Sequence, residues 1–179
     1  MQTFNPKRID DFTAAAVYVA YLFDGDEVEF APRKTEIDEC RHELHKKQKY
    51  CVWKLLEYAL EKEGYDTKKI RFFKQGQKWM SDTVSFSLSH SDELTAVAIS
   101  DIGVGIDVEK YKKCDDRTAK RVLSEEDYLN YLLAADRDKF FIDKWTAFEA
   151  RFKCGKQGTC KTVSVDDYSL TVCVAKAEN

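Results

Sequence analysis

From Val84 to Ser89 apolar residues alternate with hydroxyls: Val84, Phe86 and Leu88 interleave with Ser85, Ser87 and Ser89. A period of two marks a strand with one face in the core. The period returns between Gly103 and Glu109, sending Ile106 and Val108 one way and Asp107 with Glu109 the other. Lys69 to Phe73 and Leu94 to Ser100 read as further strands, with Lys74-Gln75-Gly76-Gln77 as a turn. Near the start, Ala14 to Phe23 is a strand, Asp24-Gly25-Asp26 reverses it, and Glu27 to Ala31 returns as its partner. After Thr35, a capping residue, the period becomes helical. Leu44, Cys51, Leu55, Tyr58 and Ala59 fall mostly on one face of a single long helix that Gly64 stops. Ser124 caps a helix reaching about Ala135, Asp138 to Cys154 forms another with Gly155 beyond it, and Leu170 to Ala175 is a closing strand. Within the late helix Phe141, Trp145, Phe148 and Phe152 have the spacing of a buried stripe. Strands gathered around these helices make the class α+β.

Composition narrows the picture. The 179 residues are 44% hydrophobic and 13% aromatic, with seven glycines and two prolines. Disordered and collagen-like chains are thereby excluded, and one domain, or two small halves sharing a core, is expected. A formal charge of -3 supplies no global basic field for nucleic acid, although Arg41, Lys46, Lys47, Lys49 and Lys54 make a local basic ridge on the long helix. Ala14 to Phe23 is about half the length a membrane span requires, so a cytoplasmic protein is expected. Six cysteines without any C-x-x-C pair read as reduced thiols.

The sharpest chemistry is the pair Asp107 and Glu109, side by side on one face of a strand. Two carboxylates about 6.5 Å apart along the backbone repel unless a cation or base neutralises them, and oxygen ligands favour a hard ion such as magnesium. A solvent-exposed polar face accounts equally well for the spacing alone. Glu149 and Lys153 are i, i+4 neighbours on the late helix, where a surface salt bridge is the plain reading. His42-Glu43-Leu44-His45 lacks the spacing of a metalloprotease motif, with Cys40 as a possible third ligand. Ser89-His90-Ser91-Asp92 cannot form a relay from adjacent strand positions.

Taken in order, Phe86-Ser87-Leu88-Ser89-His90-Ser91, Val104-Gly105-Ile106-Asp107-Val108-Glu109 and Trp145-Thr146-Ala147-Phe148-Glu149-Ala150-Arg151-Phe152-Lys153 resemble the three signatures of 4′-phosphopantetheinyl transferases of the surfactin-synthetase-activating type. The resemblance covers about residues 40 to 175. It implies transfer of phosphopantetheine from coenzyme A to a serine of an acyl or peptidyl carrier protein, with release of adenosine 3′,5′-bisphosphate. It also implies a pseudo-dimeric monomer of two α+β halves, 1–101 and 102–179, the second carrying most metal ligands. Asp107, Glu109 and Glu149 would hold magnesium, and Lys153 would stabilise charge on the pyrophosphate. Ser89, His90, Lys49 and Lys78 would contact coenzyme A. The family's general base falls in the segment Ser124-Glu125-Glu126-Asp127-Tyr128, where alignment favours Asp127 over Glu126 and helix capping is the competing account of Asp127.

Three departures accompany the resemblance. Phe148 stands where the family has lysine, Lys49 replaces an arginine, and the stretch from Gly158 to Val165 is short, as though part of a hairpin or docking surface were missing. A noncatalytic descendant that binds coenzyme A or a carrier protein is the alternative these departures raise.

Overall fold

The computed structural model describes residues 3–24, 33–76, 78–155 and 157–176. In chain order the elements are β1 (Lys7–Arg8), β2 (Ala16–Tyr21), α1 (Lys34–Asp38), α2 (Glu43–Lys62), β3 (Phe72–Gln75), β4 (Lys78–Ser81), β5 (Ser85–Ser91), β6 (Leu94–Ser100), β7 (Val104–Lys110), α3 (Asp116–Val122), α4 (Glu125–Leu133), α5 (Arg137–Cys154), β8 (Gly158–Val165) and β9 (Tyr168–Ala175). Mixed helix and sheet makes this an α+β chain. Among the described residues the strands form three antiparallel sheets, ordered β1-β2-β6-β5, β3-β4 and β7-β9-β8.

Four layers result. The apolar face of α2, with Val52, Trp53, Leu56 and Leu60, packs on Tyr18, Phe86, Val97 and Ile99 of the first sheet. The opposite face of that sheet, with Val17, Val19, Leu94 and Ala96, packs on Ile106, Val108, Leu170 and Val172 of the third. Helix α5 covers the far side of the third sheet, where Ala150 and Cys154 meet Cys173 and Ala175. Strand alternation produces this order directly, because each strand between two layers must present an apolar side to both. Beside the layers, Ala119, Tyr131, Phe141 and Ile142 join α3, α4 and the start of α5 in a small cluster of their own.

Several sequence expectations are corrected. The helix expected from Thr35 to Gly64 is two: α1 has no side-chain cap, and α2 begins at His42, whose Nδ1 accepts the His45 amide at 3.4 Å. No residue between 38 and 47 is buried, so no core packing carries the helix across the break. The turn at Gly76, with φ of +62°, closes a hairpin onto β4, a strand the pattern did not suggest. The aromatic stripe of α5 is buried only at its start: Phe141 is 7% exposed, whereas Phe148 is 59% and Phe152 76% exposed. The residues from Gly158 to Val165, which the pattern left unassigned, form β8, paired along its whole length with β9 across the Asp166-Asp167 turn. Cys160 and Cys173, opposite one another in that pairing, form a disulfide and are not reduced thiols; Cys40, Cys51, Cys114 and Cys154 are free. Antiparallel register brought together cysteines 13 residues apart, a proximity that spacing alone does not reveal. The return strand expected from Glu27 to Ala31 lies outside the described residues. No helix among the described residues is long and apolar enough to cross a membrane.

Candidate active site

Asp107 lies inside the protein and not on a solvated strand face. It is 5% exposed, and its Oδ1 accepts from Ser89 Oγ at 2.8 Å and from Lys153 Nζ at 2.8 Å. Its Oδ2 is buried with no hydrogen-bond partner. Two residues on, half-buried Glu109 accepts from Ser91 Oγ at 2.9 Å, with Lys112 Nζ 3.9 Å away. Burial pushes the Glu109 carboxyl above its ordinary range; the Ser91 bond opposes the rise and the neighbouring Asp107 charge adds to it.

The last two turns of α5 bring the cation. Lys153 and Glu149 share a face of that helix, but the lysine pairs with Asp107 on β7, so the surface salt bridge expected from their spacing is not the contact made. Gly105 permits the approach: a Cβ there would stand 2.0 Å from the Ala150 carbonyl oxygen and 2.4 Å from the Cys154 nitrogen. Farther up the helix, buried Thr146 shares hydroxyl bonds of 3.0 Å with Ser169 and Thr171 of β9, fixing α5 on the sheet. Lys78 Nζ, reaching from β4, donates to the Lys153 carbonyl at 2.7 Å and so covers an acceptor that the helix end leaves open.

Beside Lys153 opens a cleft of about 520 Å³ between the β3–β4 hairpin, β5 and the end of α5. Arg33, Lys78 and Lys153 supply three cations on its wall, and Trp79, Phe86 and Phe152 supply aromatic surface. Arg33 and Trp79 carry no signal in the sequence pattern, and Phe152 reads there as core and not as a cleft residue. The position of Phe152, next to Lys153 on an amphipathic helix, was the available signal, and its reading as core obscured it.

His90, beyond Ser89 on β5, reaches solvent at the edge of this region. Crowding by surrounding atoms, then the charges of Lys153, His45 and Lys49, hold its imidazole down at about 4. It is therefore neutral at pH 7. Lys49 is half-buried on α2, within electrostatic reach of this imidazole.

Asp127 and Glu126 stand elsewhere. Ser124 caps α4, its Oγ accepting the Asp127 amide at 3.1 Å and donating to Asp127 Oδ2 at 3.0 Å, while Asp127 Oδ1 pairs with Lys144 at 2.7 Å. The Lys144 bond holds the Asp127 carboxyl below its ordinary range. Lys144 precedes Lys153 by nine residues, which is about 13 Å along the helix and half a turn around it. The two acid–lysine pairs thus sit on opposite sides of α5.

Among the described residues no three His, Cys, Asp or Glu side chains form a metal-binding group. His42 and His45 lie ring on ring, 4.3 Å between centroids, and the Cys40 thiol turns to the His42 carbonyl. The pair on β7 nevertheless has donor chemistry suited to a hard divalent cation, because both groups are oxygen donors and one buried oxygen, Asp107 Oδ2, is unpartnered.

No family model matches the chain. It is 31% identical over 85 residues to the 4′-phosphopantetheinyl transferase gsp of Aneurinibacillus migulanus, covering 46% of this chain and 36% of that protein. It is 35% identical over 75 residues to the 4′-phosphopantetheinyl transferase psf-1 of Bacillus pumilus, covering 41% and 32% respectively. With the 4′-phosphopantetheinyl transferase Sfp of Bacillus subtilis (strain 168) it shares 29% identity over 151 residues, 78% of this chain and 65% of the other. The matched regions thus span from about one third to just under two thirds of these relatives.

Proposed function

The chain is a relative of the 4′-phosphopantetheinyl transferases, and from that premise we propose that it transfers 4′-phosphopantetheine from coenzyme A to a serine of an apo carrier protein, releasing adenosine 3′,5′-bisphosphate. The observation that carries the reading is buried Asp107 beside Glu109, met by Lys153 across the layers and left with one oxygen unpartnered. Carriers of fatty-acid, polyketide or nonribosomal-peptide assembly, acting in the cytoplasm, are the proposed partners. The same reading takes 1–101 and 102–179 as two related halves of a monomer.

Asp107 and Glu109 would hold magnesium, with Glu149 of α5, which is not grouped with them in this structure, turning in as the third ligand. When bound, that ion would neutralise the pyrophosphate and polarise the bond to be broken. The chain's own residues do the rest. Lys153 is a fixed cation beside the carboxylates, placed to stabilise charge on the leaving phosphate. Arg33 and Lys78 extend the positive wall toward further phosphates, and Trp79, Phe86 and Phe152 offer the cleft apolar and stacking surface that a nucleotide with a long arm requires. Neutral His90 would supply a hydrogen bond to a phosphate, with Lys49 behind it, and for Ser89 to do the same its bond to Asp107 would have to open. Asp127, with Glu126 as the alternative, remains the proposed proton acceptor. Its present bonds to Lys144 and Ser124 would have to open for that role, so Asp127→Asn should lower turnover about 10²-fold or more if it is the base. Unchanged turnover together with a lower melting temperature would leave it a helix cap.

Phe148 favours a second reading, a noncatalytic protein that binds coenzyme A or a carrier, because the family's lysine is absent there. Incubation with coenzyme A, magnesium and a panel of apo carriers, followed by intact-mass measurement, separates the two. A carrier that gains one phosphopantetheine with the wild-type chain and none with Asp107→Ala supports transfer. Unmodified carriers despite measurable coenzyme A binding support the second reading.

A further inference from the structure

β5 and β7 lie side by side but belong to different sheets. The backbone of β7 turns its odd-numbered positions toward β9, as the bonds from Ala175 N to Gly103 O and from Tyr111 N to Asp167 O mark at its two ends. Its even-numbered amides therefore face β5. Buried amides at a sheet edge must find acceptors or lose the full cost of leaving water. Here the acceptors are side chains. Ile106 N–H donates to Ser87 Oγ at 3.0 Å, Val108 N–H to Ser89 Oγ at 3.2 Å, and Lys110 N–H to Ser91 Oγ at 3.2 Å.

Each of these pairs is separated by 19 residues, so the strands run parallel and in step. The match is a consequence of shared period: serines two apart on one strand meet amides two apart on the other. Each hydroxyl also has a single proton to give. Ser89 gives its proton to Asp107 and Ser91 to Glu109, the residues immediately before the amides they accept. A hydroxyl tied to the backbone on one side has little freedom to point elsewhere on the other. The carboxylates are thus held relative to their own main chain by bridges from the neighbouring sheet.

We propose that Ser87, Ser89 and Ser91 form a hydroxyl ladder that takes the place of backbone pairing between β5 and β7, and that Ser91 is the positioning residue for Glu109. The second part rests on the function proposed above for the two carboxylates; the first does not. Ser91 is half-buried, so a β-branched replacement has room. Ser91→Thr and Ser91→Val have nearly the same shape and differ in the hydroxyl.

Three measurements on the full chain decide the matter: hydrogen exchange at the Lys110 amide, magnesium affinity by calorimetry, and steady-state kinetics with coenzyme A and an apo carrier. Ser91→Thr should match wild type in all three. Ser91→Val should exchange at Lys110 about tenfold faster or more, bind magnesium about 10- to 100-fold more weakly, and lose kcat to a similar extent with the KM for carrier nearly unchanged. Ser85→Ala, one step before the ladder, should change none of them. Equal protection of Lys110 in the Thr and Val variants overturns the ladder. Lost protection with undiminished magnesium affinity, or a wild-type chain that binds no magnesium, overturns the positioning role. A wild-type chain that binds magnesium and modifies no carrier defeats the transferase reading alone, since exchange and calorimetry still report on Ser91.

Discussion

Phe148 and Phe152 show how little spacing says about which side of a helix meets the core. Both continue the stripe of Phe141 and Trp145, but the face of α5 that meets the sheet runs through Thr146, Ala150 and Cys154, so both rings turn away from it, and Phe148 is left stacked on Trp145 with ring centroids 6.1 Å apart. Phe148→Ala should therefore cost about 1 kcal/mol or less, in contrast to the 3 to 5 kcal/mol of a buried phenylalanine. Phe152→Ala should be equally mild in a melting curve but should weaken coenzyme A binding, because that ring lines the cleft. A large loss of stability in either variant would contradict the exposure. His90 yields a pH dependence. Its folded-state value of about 4 lies below the ordinary 6.5, so between those values the unfolded chain binds a proton that the folded chain refuses. The contribution of neutral His90 is complete above pH 6.5 and is lost as pH falls toward 4. Unfolding midpoints measured from pH 7.5 to 4.5 should fall more steeply in wild type than in His90→Gln; parallel curves would show that the imidazole is not held neutral.

At the level of elements, the decisive contact is α5 upon β7. Gly105 lets two backbones touch where any side chain would intervene, and the last turn of α5 is thereby set at the height of Asp107. Gly105→Ala should destabilise the chain by about 3 kcal/mol, at the upper end of overpacking costs, and should abolish carrier modification by lifting Lys153 away from Asp107. A denaturant midpoint unchanged from wild type would mean that the helix yields without cost. Much of this arrangement was legible beforehand. Strands β5 and β7 announced themselves through alternation, β6 as a further, nearly all-apolar strand, and the Ser124 cap and the Gly155 stop of α5 followed from capping chemistry. The pair Asp107 and Glu109 was visible because period two places both on one face. What alternation could not convey was which layer would cover that face, so burial of Asp107 and its bond to Lys153 needed the tertiary arrangement. The break between α1 and α2, strand β4 and strand β8 escaped notice because each lies in a segment that is short or largely exposed and leaves no apolar periodicity.

Across the whole molecule, the third sheet carries both the carboxylates and the disulfide. Cys160 and Cys173 join β8 to β9 on the side where α5 packs, and β9 in turn pairs with β7. A denatured, unreduced sample should present four titratable thiols, and reduction should reveal six. Reduction should also lower stability by up to about 3 kcal/mol, as expected for a short closed loop; six thiols before reduction would refute the bond. The serine rungs, for their part, govern where the chain can change length. Every rung joins residue n to residue n+19. A residue inserted in the exposed connection at 101–102 is slack outside both strands and leaves the rungs in place. A residue removed within β5 turns all the hydroxyls beyond it to the opposite face and breaks their rungs together. Foreign loops can thus be grafted at 101–102, whereas a graft within 85–91 or 104–110 would leave the two carboxylates without their supports.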